Sequence, residues 1–307
     1  MNGQVRTRHG IVVGYDGSTG SRLALTWAAE TARLRGAHLT LVHGVDVTTV
    51  PARPAMDHSP VEPSYESAAK ALVDEGAERV GRLLDASRVE TQYWLGSAAA
   101  QLVEMSRDAD LVVVGSRGRG RLLAGLLGST SYSVAAHAHC PVVVVRGPGG
   151  HDTQDMRAPA RPGPERDVVV GVDDSDAAAR AVDAAAVVAE QETATLHIVR
   201  VARSPSMEAW TYAETARGGT EETHAIRDHA EQSVTRSADR VRVHHPEVEV
   251  TTEVLYGDPG QSLADLGATA GLIVVGSRGH GGFTGMLLGS VSHRVVHDAT
   301  CPVMVVR

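Results

Sequence analysis

At 307 residues the chain has room for two domains of ordinary size, each able to bury a core of its own. Apolar residues make up 42% but aromatics only 3%, so the core must rest on Val, Leu, Ala and Ile, as in strands buried on both faces of a parallel sheet. The net charge of −8, a single lysine (Lys70) and the lack of a basic, aromatic-studded stripe argue against nonspecific binding to nucleic acid or anionic membrane.

Met1 to Gly10 is polar and lacks the apolar stretch of a secretory signal. No apolar run approaches the ~20 residues that cross a bilayer. A soluble, cytoplasmic protein is expected. From there, short apolar runs alternate with amphipathic stretches, the pattern of βαβ units around a parallel sheet. Strands are predicted at Ile11–Tyr15, Leu39–Val45, Val89–Trp94, Leu111–Gly115 and Val142–Arg146. Helices are predicted at Ser21–Arg35, Tyr65–Ser87, Ala98–Arg107 and Ser129–Ala138. A Pro-, Gly- and charge-rich stretch without apolar periodicity follows and reads as a linker, placing the domains at 1–147 and 166–307 with 148–165 between them. The second half repeats the pattern, with strands at Val168–Val172, Thr195–Val201, Glu249–Leu255, Leu272–Gly276 and Val303–Arg307. Two α/β domains are expected, each a five-stranded parallel sheet flanked by helices. Ligands belong beyond the carboxyl ends of such strands.

The halves are copies of one another. Gly115–Arg146 and Gly276–Arg307 align at a shift of 161 with 18 of 32 positions identical. Near the first strands the shift is 157, because Val12–Ser18 matches Val169–Ser175. By contrast, Val61–Glu90 keeps only 6 identities in 30 against Glu222–Thr251. Such uneven drift marks the segment after the fourth strand as constrained by more than the need to turn. Cys140 and Cys301 fall at equivalent places, and buried free thiols are the expected state.

In that segment Gly115 and Gly118 are followed after nine residues by Gly128-Ser129, and Gly276 and Gly279 by Gly289-Ser290. Glycines at a strand end permit a tight turn that brings backbone N–H groups to an anion. Ser129 and Ser290 then stand where a helix begins, able to cap it or to contact phosphate. Valine at Gly115 and Gly276 is expected to fill the phosphate space and resist positive φ while the protein stays folded. A second element is Asp16, matched by Asp173, just past the first strand. Its carboxylate can accept from an adenine amino group or a ribose hydroxyl, or else cap the first helix, as Ser18 and Ser175 also can.

Other motifs fail. Walker A needs Gly-Lys-Ser/Thr, Gly14-Tyr15-Asp16-Gly17-Ser18 does not supply the dinucleotide fingerprint, and no GxSxG elbow is present. His293 and His297 have an i, i+4 spacing, but no third ligand is placed by spacing, so surface histidines are the better account.

The G-xx-G-nine-G-S/T motif, the Asp after strand one and the Cys-Pro-Val-rich last strand together resemble the universal stress protein family in its tandem-repeat form. The resemblance implies Rossmann-like (adenine nucleotide alpha hydrolase-like) domains that bind ATP, with a divalent cation such as Mg2+. It puts adenine near Gly14, Asp16 and Gly44, and near Gly171, Asp173 and Val201 in the second copy. The triphosphate would follow Gly115, Ser116, Arg117, Gly118, Arg119, Gly120 and Arg121, then Gly128, Ser129 and Thr130. Its second-copy path is Gly276, Ser277, Arg278, Gly279, His280, Gly281 and Gly282, then Gly289, Ser290 and Val291. Because Arg117, Arg119 and Arg121 become Arg278, His280 and Gly282, unequal affinities are expected. The implied role is nucleotide-dependent regulation in stress adaptation, dormancy or growth control, with no catalytic residues. A slow ATPase is the alternative. The last strands are expected to pair the two copies, leaving any homodimer to another surface.

Overall fold

The computed structural model describes residues 9–45, 62–118, 127–147, 158–202, 219–279 and 288–307, and divides into two units at Pro159 and Ala160. In the first unit the elements are β1 (Gly10–Gly14), α1 (Thr19–Arg35), β2 (Leu39–Val45), α2 (Glu62–Val80), β3 (Val89–Leu95), α3 (Ala98–Met105), β4 (Ala109–Gly115), α4 (Ser129–His137) and β5 (Val142–Val145). Its strand order is β3-β2-β1-β4-β5, and all pairings are parallel. Apolar runs with no polar alternation become the central strands. Ile11, Val12 and Val13 of β1, and Val112 and Val113 of β4, have no solvent exposure. Each such side chain contributes about 1.5–3 kcal/mol through burial.

Ser18 starts α1 by accepting a hydrogen bond from the Ser21 amide, and Gly36 ends it in the left-handed conformation, φ 62°. Helix α1 packs beside α2, and α3 beside α4. Right-handed crossovers put these two pairs on opposite faces of the sheet. Aliphatic side chains dominate the core, yet Trp27 and Tyr15 are its largest fully buried members.

The second unit repeats this with β6 (Val168–Gly171), α5 (Asp176–Glu192), β7 (Leu196–Ala202), α6 (Gly219–His244), β8 (Val250–Tyr256), α7 (Pro259–Asp265), β9 (Leu272–Gly276), α8 (Ser290–Asp298) and β10 (Val303–Val306). The order is β8-β7-β6-β9-β10, again parallel. Registers agree across the copies, since Ile11 lies opposite Leu39 and Val168 opposite Leu196. Residues Ala160 to Glu165 belong to this unit: Arg161 pairs with Glu192, and Pro162 lies against Gly271.

Several predicted ends move. The second helix stops at Val80 rather than Ser87, because Gly81 gives way to turns in which Leu83 and Leu84 donate to the Val80 carbonyl. A short 3-10 turn, Ala86–Arg88, then leads into β3. Strands β1 and β6 end at glycine, one residue early, and β5 and β10 end before Arg146 and Arg307.

Cys140 and Cys301 are free thiols, and burial pushes both up to about 12. Against an ordinary thiol near ~8.5, that lowers the thiolate fraction at pH 8 by about three orders of magnitude. Iodoacetamide at pH 8 should therefore leave both cysteines unlabelled in the native protein and label both in urea. Native labelling at either position would refute the assignment. The folded state holds these thiols protonated, so their contribution is fully present below about pH 8.5 and is lost as pH rises towards 12.

Candidate nucleotide-binding site

In each unit the strand order reverses between two neighbours, β1 and β4 or β6 and β9, and the chain leaves β4 and β9 through glycine-containing turns. A crevice at such a reversal is where open α/β sheets receive ligands. After β1, Gly17 turns the chain at φ 74°. Asp16 Oδ1 accepts from the Ser18 amide at 3.0 Å, which aims the carboxylate back across the strand ends. Its other oxygen reaches the β4 turn, where a Cβ on Gly118 would stand 2.6 Å from Asp16 Oδ2. The second unit repeats the arrangement. Asp173 Oδ1 accepts from the Ser175 amide at 3.1 Å, and a Cβ on Gly279 would overlap Asp173 Oδ2. Two segments about a hundred residues apart in sequence thus meet at one carboxylate.

The glycines after β4 play a different part from the one the sequence suggests. Neither Gly115 nor Gly118, nor Gly276 nor Gly279, has a positive φ. Gly115 is needed because a Cβ there would lie 2.5 Å from the Gly20 carbonyl carbon in the first turn of α1, and one on Gly276 would lie 2.8 Å from that of Ala177. Gly20 is equally confined, with Arg117 O 2.5 Å from its would-be Cβ. These glycines press β4 and β9 against α1 and α5. Ser116 and Ser277 are buried, and their amides donate to Val145 O and Val306 O.

The loop's far end is tied to its near end. The Gly128 amide donates to Ser116 O at 2.9 Å, and the Gly289 amide to Ser277 O at 2.8 Å. Gly128 and Gly289 are the N-cap residues of α4 and α8, and neither offers a side chain to its helix. Ser129 and Ser290 are therefore not caps, contrary to one of the two roles expected of them. They are exposed at the first helical position, followed by half-buried Thr130 and Val291. A helix start without a side-chain cap leaves N–H groups for an anion. The stem is secured instead by Ser131 and Ser292, whose hydroxyls donate to Gly115 O and Gly276 O at 2.5 Å.

The remaining expected residues divide. Gly44 stands next to the end of β2 where a Cβ would lie 2.6 Å from Ala98 Cα, and its counterpart in the second unit, Val201, is half-buried. Gly14 and Gly171 face leucines, with Leu102 Cδ1 at 3.1 Å and Leu263 Cδ1 at 2.7 Å from a would-be Cβ. They serve helix packing on that side. Arg117 is half-buried and Arg278 exposed. Arg119, Gly120, Arg121, His280, Gly281 and Gly282 lie outside the described residues.

Sequence reasoning missed the Ser131/Ser292 latch and a second pair, Gly96 and Gly257. These stand at φ 139° and 145°, and their amides close onto Val45 O and Ala202 O. Both pairs obey the same shift of 161, which was the available signal. Among the described residues no group of three or more His, Cys, Asp or Glu side chains could hold a metal, and no helix is long and apolar enough to cross a membrane. The His293 and His297 rings stack with centroids 6.2 Å apart, and His297 Nδ1 lies 2.6 Å from Asp298 Oδ1.

A parallel sheet whose switch point carries a carboxylate against a glycine turn, present twice, defines a tandem Rossmann-like α/β protein. The sequence profile of the Universal stress protein family matches residues 7–146 and again 165–307. The universal stress protein Rv2005c of Mycobacterium tuberculosis H37Rv is 34% identical over 307 residues, covering 98% of each chain. Rv2623 of the same strain is 35% identical over 308 residues, covering 97% of this chain and 96% of its own. A crystal structure of a universal stress protein from Archaeoglobus fulgidus DSM 4304 matches at a TM-score of 0.66 and 20% identity, over 97% of this chain and 98% of that one. The chain belongs to the universal stress protein family, with two copies of the family's domain and a stress-related role.

Proposed function

We propose that each unit binds ATP at its switch point and that the protein acts as a nucleotide-dependent regulator in stress adaptation, dormancy or growth control. The observation that carries this reading is the meeting of Asp16 with Gly118, and of Asp173 with Gly279, beside a helix start that has no side-chain cap. The carboxylate suits the donors of a nucleoside, namely an amino group or ribose hydroxyls. The uncapped first turns of α4 and α8, with exposed Ser129 and Ser290, suit phosphate oxygens.

A divalent cation fits this set only as a companion of the phosphates. Among the described residues neither site gathers three or more His, Cys, Asp or Glu side chains, so the ion's other ligands would be phosphate oxygens and water. When bound, it would neutralise the phosphate charge. The chain's own residues orient the nucleotide: the Asp holds one end, the glycine turn leaves room, and the helix start receives the other. We read the product as a conformational or assembly state; if ATP were cleaved, Asp16 and Asp173 are the site groups that would have to act as base.

Mass spectrometry of ligand released from freshly purified protein should find an adenine nucleotide. Added ATP should alter the oligomeric or conformational state measured by light scattering, with no turnover on that timescale. Release of another ligand class would overturn the nucleotide assignment, and turnover coupled to the change would make the protein an ATPase.

A further inference from the structure

The two units differ at a coordinated set of four positions beside the site. Where the first unit turns at Gly17, the second turns at Asp174, held at φ 65°. After glycine, Asp and Asn are the residues that adopt that conformation most readily. Asp174 Oδ1 accepts from Ser233 Oγ at 2.8 Å and Arg236 Nη2 at 2.9 Å, and Oδ2 accepts from Arg200 Nη1 at 2.5 Å. Arg200 also donates to Ser233 Oγ at 2.9 Å, and His229 Nε2 lies 3.3 Å from Asp174 Oδ2. Burial pushes the Asp174 carboxyl up, but the Ser233 hydroxyl and the Arg236 and Arg200 guanidiniums outweigh it and hold it below its ordinary range.

The first unit has none of these groups. His43, Leu72 and Glu75 stand where the second has Arg200, Ser233 and Arg236. His43 Nδ1 lies 2.9 Å from Tyr15 O, and Glu75 is bound by Arg22 and Arg79.

Asp174 stands between the carboxylate of the site and the cap of α5. The Ser175 hydroxyl accepts from the Ala178 amide at 3.2 Å and donates to Asp173 Oδ1 at 2.5 Å. In the first unit the equivalent Ser18 hydroxyl is directed at Ser21 Oγ and the Arg117 carbonyl. Asp173 faces the same way as Asp16, and the clamp on Asp174 with the Ser175 hydroxyl bond adds restraints on it that Asp16 does not share among the described contacts.

We infer that Asp174, clamped by Arg200, Ser233 and Arg236, is a positioning residue of the second site, holding Asp173 against the Gly279 turn before a ligand arrives. This inference rests on the reading of the sites as nucleotide sites. The clamp pre-organises the second turn beyond the backbone and Ser contacts that both turns share. Pre-organisation raises affinity because less ordering is left for the binding step.

The test uses the full chain carrying Gly118→Val, which silences the first site, titrated with ATP and Mg2+ by calorimetry. Adding Asp174→Gly supplies the left-handed turn freely but removes the clamp, and should weaken the remaining site about tenfold. Asp174→Asn tolerates the same turn and keeps an acceptor oxygen for Ser233 and Arg236 while losing the one facing Arg200, so it should recover most of the affinity, to within about threefold. If Asp174→Gly lowers the melting temperature but leaves the affinity unchanged, the clamp is only structural and the inference falls. If the Gly118→Val parent and the unmodified chain both fail to bind nucleotide, the nucleotide reading itself falls, and this inference with it.

Discussion

Valine at both Gly118 and Gly279 should weaken ATP binding at least a hundredfold while leaving the protein folded. Both glycines are exposed, and a Cβ at either meets the tip of an Asp side chain. A side-chain tip can swing aside, so the strain is relieved by expelling the carboxylate from the site. The branched side chain then occupies the space beside the uncapped helix start. A hundredfold loss corresponds to about 2.7 kcal/mol, the scale of one charge-assisted hydrogen bond plus an obstructed contact. Losing the bond between the Ser18 amide and Asp16 costs about 1 kcal/mol, which lowers the melting temperature by only a few degrees. Calorimetric titration and thermal melts read the two effects separately. Unchanged affinity would mean that the carboxylate and the glycine turn are not the site.

Valine at Gly115 and Gly276 should do something different, and the sequence alone misjudges it. The obstructing atoms there are the backbone of Gly20 and of Ala177, which cannot rotate away. To admit a side chain, α1 must lift from β4, and with it the fully buried Ala24, Trp27 and Ala28. Overpacking of this kind costs roughly 1–3 kcal/mol per site. The melting temperature should therefore drop by about 5–10 °C, with any loss of nucleotide binding following from the damage to the fold. A variant that melts like the parent would show that α1 and β4 are not in backbone contact.

How far the sequence could lead is clear from these two pairs of glycines. Strand β9 matches its predicted range because a continuous Leu-Ile-Val-Val run has one stable environment, the middle of a parallel sheet, and β2 matches although Thr40, His43 and Gly44 interrupt it. The repeat and its spacing also marked both loops. What spacing cannot reveal is the neighbour that excludes a side chain. Gly115 and Gly118 look alike in the sequence, yet one abuts a helix backbone and the other a carboxylate from about a hundred residues earlier. The same holds for Ser129 and Ser131, of which the second carries the structural bond although the first belongs to the recognisable motif. Asp174 passed unnoticed because its partners come from β7 and α6, where the copies have drifted furthest.

The most direct test of two nucleotide sites is a calorimetric titration of nucleotide-stripped full-length chain with ATP in the presence of Mg2+. The account predicts two ATP molecules per chain, falling to one with either Gly118→Val or Gly279→Val alone. No binding, or a stoichiometry indifferent to both substitutions, would contradict it.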